Sequence, residues 1–300
     1  MKVLVTGATG LIGVHTVKSL LDAGINVVTC GRSSTGIVGL PSVSHRSGDL
    51  LDAAFHKTVV DTERPDGLLH LAWQTKHGHF WNALDNHDWH DASRDLIDRF
   101  LQSGGSRVVV SGSCAEYDWR NIPVGMKLSE DAPCGPATLY GQQKLRLLVH
   151  CHDLIKSGAA VAWGRLFFLL GPHEDRARFI PSITTKLLAG ETADMSSGQQ
   201  IRDFMHVKDV GRAFATLMQD DITGAINIAS GNGYSLLEIA TRLQRKIGLG
   251  TLNAGGFPDR PDDPPYLVAD TGRLSRMIGF TAEYDLDSAL SDCINFWANQ

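Results

Sequence analysis

Tyr140 and Lys144 stand four residues apart in the stretch Leu139-Tyr-Gly-Gln-Gln-Lys-Leu145. The stretch has a helical pattern, so the two side chains share one face. A free tyrosine titrates near 10 and is a poor base at neutral pH. A lysine ammonium within a few ångströms favours phenolate and lowers that value, which suits the pair to general acid–base work. Upstream, Arg107-Val-Val-Val-Ser111-Gly112-Ser113 reads as a strand ending in small hydroxyl residues. A serine there can donate to a substrate oxygen and steady alkoxide-like charge, and Ser113 is the candidate.

The elements that must position this set begin at the N-terminus. Val3, Leu4 and Val5 form an apolar run with the β-branched bias of a buried strand. Gly7, Gly10 and Gly13 follow, with Leu11 and Ile12 between them, and Val14 to Leu21 reads as a helix. In such a unit the first glycine makes a tight turn, the second admits a pyrophosphate and the third lets the helix pack close. The diphosphate sits at the helix N-terminus. The chain therefore reads as a dinucleotide binder, and Lys144 is placed to hold a nicotinamide ribose. An oxidised nicotinamide would add a second positive charge favouring the Tyr140 phenolate.

The strand at Asn26–Cys30 runs into Gly31, Arg32, Ser33 and Ser34 without a carboxylate. An acid there takes the ribose hydroxyls of NAD. A guanidinium with hydroxyls suits a 2′-phosphate, so NADP is preferred and NAD stays open. The plain alternative for Arg32 is a solvated turn residue.

Composition sets the outer bounds. Of 300 residues, 43% are hydrophobic and 20% charged, which fits a globular protein with one large core or two units sharing one. A net charge of −5 carries no signature of nucleic-acid or membrane attraction. There is no apolar run of spanning length and the first residues already form a strand, so a cytoplasmic protein without signal peptide is expected. The five cysteines have no CxxC pair and the histidines no ligand spacing, so reduced thiols and no metal are expected. Gly67–Ala72 reads as a parallel strand buried on both faces, and Ala92–Ser103 as an amphipathic helix.

Taken in order, Thr6-Gly-Ala-Thr-Gly-Leu-Ile-Gly13, Gly48-Asp49-Leu50, the strand ending at Ser113 and Tyr140-Gly-Gln-Gln-Lys144 form a specific combination. It resembles the extended short-chain dehydrogenase/reductase group, the NAD-dependent epimerase/dehydratase family, over almost the whole chain. The resemblance implies a Rossmann doubly wound parallel sheet with a smaller C-terminal α/β substrate domain. It assigns residues 1–171, with 203–230 returning, to the dinucleotide domain, and 172–202 and 231–300 to the substrate domain.

The resemblance also implies roles. Ser113, Tyr140 and Lys144 are the catalytic set. Asp49, with Leu50, meets the adenine amine, and the strand end at Leu71-Ala72 runs along the nicotinamide ribose. Arg202 and Arg260 clamp the diphosphate of a nucleoside-diphosphate sugar. The helices around 92–103 and 139–155 pair in a homodimer.

Several positions depart from the family pattern. Trp73 replaces a second alanine after Ala72, Phe168 an asparagine, and Trp89 stands where an asparagine orders a proton-relay water, with Asn86 one turn earlier, which leaves the relay unassigned. Cys114 and Ala115 replace the acid pair of sugar dehydratases, and an elimination needs such a pair. Glu116 either touches substrate or bonds within its own loop. Phe80, Trp81 and Trp89 either pack a core or line the mouth of a sugar site. The leading expectation is reduction of a 4-keto-6-deoxy nucleotide sugar. Its alternative is an NAD-dependent 4-epimerase, and a non-catalytic NADP sensor ranks below both.

Overall fold

The computed structural model describes residues 1–33, 40 and 43–300. Its first half alternates strand and helix: β1 (Lys2–Thr6), α1 (Gly13–Asp22), β2 (Asn26–Gly31), β3 (Val43–Ser47), α2 (Ala53–Glu63) and β4 (Gly67–His70). Then come α3 (Asn86–Gln102), β5 (Arg107–Ser113), α4 (Leu139–Lys156), β6 (Ala160–Leu166) and the short β7 (Phe168–Leu170). The second half holds α5 (Phe179–Leu188), β8 (Thr192–Met195), β9 (Ile201–Arg202), β10 (Phe204–His206), α6 (Val207–Gln219) and β11 (Gly224–Ile228). It closes with β12 (Tyr234–Ser235), α7 (Leu236–Ile247), β13 (Thr251–Ala254), β14 (Tyr266–Leu267) and α8 (Leu286–Ala298).

Seven strands form one parallel sheet in the order β11-β6-β5-β4-β1-β2-β3. Both faces are covered, which the alternation along β1 makes plain. Val3 and Val5 pack with Val17, Leu20 and Phe214, whereas Leu4 packs with Leu96, Phe100 and Leu147 on the other face. Burying each such side chain is worth ~1.5–3 kcal/mol, so two covered faces let a short strand be strongly held. Strand order reverses between β1 and β4, and ligands of doubly wound sheets bind outside the strand ends at such a point.

Smaller elements stand beyond this sheet. β7 pairs with β10, β8 with β13, and β9 lies between β12 and β14. A further core joins Leu170, Ile180 and Leu187 to Ile239, Leu243 and Leu290. Two element boundaries differ from the sequence expectation. The strand expected through Ala72 ends at His70. The helix expected from Ala92 starts at Asn86, whose side chain is buried.

Candidate active site

The glycine turn lies at the reversal point. Gly7 has a left-handed φ of 68°, and a Cβ there would lie 2.8 Å from Ala72 N and 2.9 Å from Leu71 C. A Cβ on Gly13 would run into the Gly7 carbonyl, so α1 presses directly on the turn. Leu71 N donates to Thr6 O at 3.3 Å and Ala72 N to Thr6 Oγ1 at 3.2 Å, which ties the β4 exit to β1.

His70 extends this tie into α3. Its Nδ1 is 2.8 Å from Thr6 Oγ1 and its Nε2 is 2.8 Å from Ser93 Oγ. Ser93 spends its proton on Trp89 O at 2.6 Å, so it must accept from Nε2–H. Nδ1 then accepts the Thr6 hydroxyl proton. The imidazole is neutral in one tautomer, and burial pushes its pKa down to about 3.

On the other side of the reversal, β5 delivers Ser113 to a short 3₁₀ turn, Cys114–Glu116. The Ser113 hydroxyl accepts from Ala115 N at 3.2 Å, which leaves its proton for donation, with the Tyr140 phenol as one partner. Helix α4 is capped by Thr138, which accepts from Gly141 N at 3.2 Å and sets Tyr140 in the first turn. A Cβ on Gly141 would collide with the Ala115 carbonyl. Glycine at that position lets α4 lie against the 3₁₀ turn and brings Tyr140 to Ser113.

The Tyr140 phenol is buried, and its pKa is pushed up by that burial. The Ser113 hydroxyl and the Arg178 guanidinium oppose the shift, while Glu116 and Cys114 add to it. In the protein without cofactor the direction is therefore opposite to that expected from the Tyr-x-x-x-Lys spacing, because desolvation outweighs the Ser113 hydroxyl and the Arg178 charge. Lys144 is also buried, and burial pulls it down to about 7, with Glu116 opposing. Its Nζ donates to Ser111 O at 2.8 Å. The phenol ring meets Phe80, Trp81 and Trp73 edge-on, at centroid distances of 5.0, 5.9 and 6.2 Å. Core and site readings of these aromatics thus merge, since Phe80 is buried while Trp81 is 36% exposed.

Glu116 requires a correction. It was a candidate substrate contact, yet the residue is fully buried and its carboxylate is spent inward. Glu116 accepts from Ser113 N at 2.7 Å, from Trp163 Nε1 at 3.0 and 3.1 Å and from Arg165 Nε at 2.7 Å. It holds Ser113 from within rather than touching a ligand. Asn86 is similarly committed. Its Oδ1 accepts from Trp73 Nε1 at 2.8 Å, and its Nδ2 donates to Phe80 O and Ala83 O. Both amide protons are thus spent, and the residue is fully buried.

Of the remaining candidates, Arg202 is 3% exposed, pairs with Asp263 at 2.6 Å and lies 5.4 Å over the Phe168 ring. Arg260 is exposed on the loop that carries Asp263. Asp49 is exposed, with Oδ1 accepting from Leu51 N at 3.0 Å, and Leu50 O bonds the His56 ring at 2.5 Å. Arg32 and Ser33 are exposed just past β2, and Ser34 lies outside the described residues. Sequence reasoning passed over Arg178, which precedes α5, although its charge reaches Tyr140. His206 and Asp209 are structural. His206 caps α6, and Asp209 accepts from Glu283 N and Tyr284 N.

Residues 3–229 match the NAD dependent epimerase/dehydratase family. The chain belongs to this family. It is 27% identical to the UDP-glucose 4-epimerase of Lacticaseibacillus casei, with 100% of this chain and 97% of that protein covered. The fold is that of the UDP-glucose 4-epimerase of Thermotoga maritima, solved with UDP-glucose. The TM-score is 0.86 at 20% identity, covering 100% of this chain and 99% of that one. It is equally that of a dTDP-glucose 4,6-dehydratase from Bacillus anthracis solved with NAD, with TM-score 0.87, 15% identity and coverage of 100% and 97%. The fold is thus shared by epimerases and dehydratases, and side chains must separate them.

The glycine turn of this family member fits the dinucleotide that the family's description implies. No side chain caps α1, and a Cβ on Gly10 would meet only Gly7 O, at 3.3 Å. Backbone at Gly10, Leu11, Ile12 and Gly13 can therefore face a diphosphate. No helix among the described residues is long and apolar enough to cross a membrane.

Proposed function

We propose that the chain is an NAD-dependent 4-epimerase of a uridine-diphosphate hexose. The observation that carries this reading is that the residues following Ser113 offer Tyr140 no second acid–base side chain. Cys114 and Ala115 are buried and apolar, burial lifts the Cys114 thiol to about 12, and Glu116 is turned inward. Dehydration needs a further acid, whereas epimerisation takes and returns one proton at one oxygen. The full-length similarity to UDP-glucose 4-epimerases supports the same choice over net reduction.

A dinucleotide held at the glycine turn would supply a reversible hydride acceptor. Tyr140 takes the proton of the C4 hydroxyl and gives it back, and Ser113 donates to the same oxygen. Lys144 holds positive charge beside the phenol and the cofactor ribose. Gly7, Gly10 and Gly13 carry the cofactor diphosphate, Asp49 the adenine, and Leu71 and Ala72 the nicotinamide side. Arg202 and Arg260 carry the sugar-nucleotide diphosphate, as bidentate guanidinium groups do. Val149, exposed on α4, belongs to a dimer face formed with α3.

One observation keeps the reductase as a second reading. Exposed Arg32 stands past β2 with no carboxylate beside it in Gly31-Arg32-Ser33, which suits NADP. Incubation with UDP-glucose or UDP-galactose separates the two. The epimerase reading expects interconversion without added cofactor and no net NADPH oxidation. Stoichiometric NADPH consumption with a 4-keto sugar nucleotide, and no interconversion, would replace it by the reductase.

A further inference from the structure

Lys144 Nζ lies 3.9 Å from the centroid of the Trp73 ring. The same indole stands 6.2 Å from the Tyr140 ring at 80°. Its Nε1 donates to Asn86 Oδ1, and fully buried Asn86 is held in turn by Phe80 O and Ala83 O. The indole is therefore fixed at its polar edge, with its face to an ammonium.

We propose that Trp73 is a positioning residue, its indole face anchored by Asn86 to hold the Lys144 ammonium beside Tyr140. The groups around Lys144 show why such a face matters. From β5 comes the Ser111 carbonyl, and from the 3₁₀ turn Glu116, whose charge is already paired with Arg165. β4 contributes His70, which is neutral, and α4 contributes Cys151 and Tyr140, both with raised pKa values. None of these is an unpaired anion. The negative face of the indole then offsets part of the burial cost that acts on the ammonium. The neutral form gains nothing from that face, so Trp73 acts on charge as well as place.

This inference rests on Tyr140 and Lys144 being the catalytic pair, but its test needs neither substrate nor cofactor. The carbon-13 Cε signal of Lys144, in protein labelled at lysine and assigned by its loss in Lys144→Met, is followed against pH. Leucine at position 73 stays apolar and removes the π face, so the ammonium is disfavoured and its midpoint falls. The expected fall in Trp73→Leu is about half a pH unit, with a smaller fall in Trp73→Phe. A midpoint unmoved or raised in Trp73→Leu, or moved equally in both variants, overturns the proposal. If Trp73→Leu does not fold, an unmoved midpoint in Trp73→Phe overturns it instead. Loss of the catalytic reading would show separately, as interconversion retained by Tyr140→Phe.

Discussion

Arg165 Nε donates to Glu116 Oε2 at 2.7 Å, and neither side chain is more than 3% exposed. The pair stands behind Ser113, whose N–H is received by the same carboxylate. Removing one partner of a buried pair strands the other charge, at a cost of about 3–5 kcal/mol. Arg165→Met is expected to lose that much in urea unfolding. Adding Glu116→Gln should return part of it, because the stranded charge is gone.

Arg202 and Asp263 form the second pair with a testable consequence. At 2.6 Å, Asp263 holds the guanidinium that is proposed to bind a diphosphate. Asp263→Asn should lower the KM for a nucleotide sugar several-fold, since the ligand no longer competes with a carboxylate. Arg202→Lys should raise KM by about ten- to a hundredfold through loss of bidentate contact. Steady-state kinetics that move kcat and leave KM unchanged would remove Arg202 from the ligand site.

Gly141 is a packing test of the catalytic distance. Its missing Cβ lets the first turn of α4 lie against Ala115 O. Gly141→Ala must push that turn away, at roughly 1–3 kcal/mol by the usual cost of overpacking. Turnover should fall by about tenfold or more with the helix content by circular dichroism retained.

The neutral His70 makes stability depend on pH with a definite sign. Its folded pKa is about 3, against 6.5 for the ordinary group. Between those values the unfolded chain binds a proton that the native state refuses, so stability falls as pH drops through that window. The slope from this group approaches 1.4 kcal/mol per pH unit. Urea unfolding of His70→Asn between pH 6 and pH 4 should be flatter than the parent by about that amount.

What was legible in the sequence was local. Gly7, Gly10 and Gly13 declare a turn because each glycine answers a contact within a few residues or the next strand. Tyr140 and Lys144 declare a face because helical spacing alone brings them together. Glu116 was not legible in that way. Its partners Trp163 and Arg165 stand on β6, and only the pairing of β5 with β6 brings them under Ser113. Trp73 was visible as a departure from the family pattern but silent about its cause, since Lys144 meets it across the sheet end. The direction of the Tyr140 shift in the protein without cofactor was not legible for a related reason. Spacing shows which charges are near, whereas burial, which dominates here, belongs to the folded whole.

The bonds through His70 all run in one sense. Ala72 N–H donates to Thr6, Thr6 to Nδ1, Nε2–H to Ser93, and Ser93 to Trp89 O. A chain that carries protons must be able to reverse its polarity once each proton has moved. This one is bounded by an amide that can only donate and a carbonyl that can only accept, so it has a single polarity. The imidazole beside Lys144 is therefore an insulator. A proton taken up by Tyr140 in the proposed reaction would find no exit into the sheet along this line.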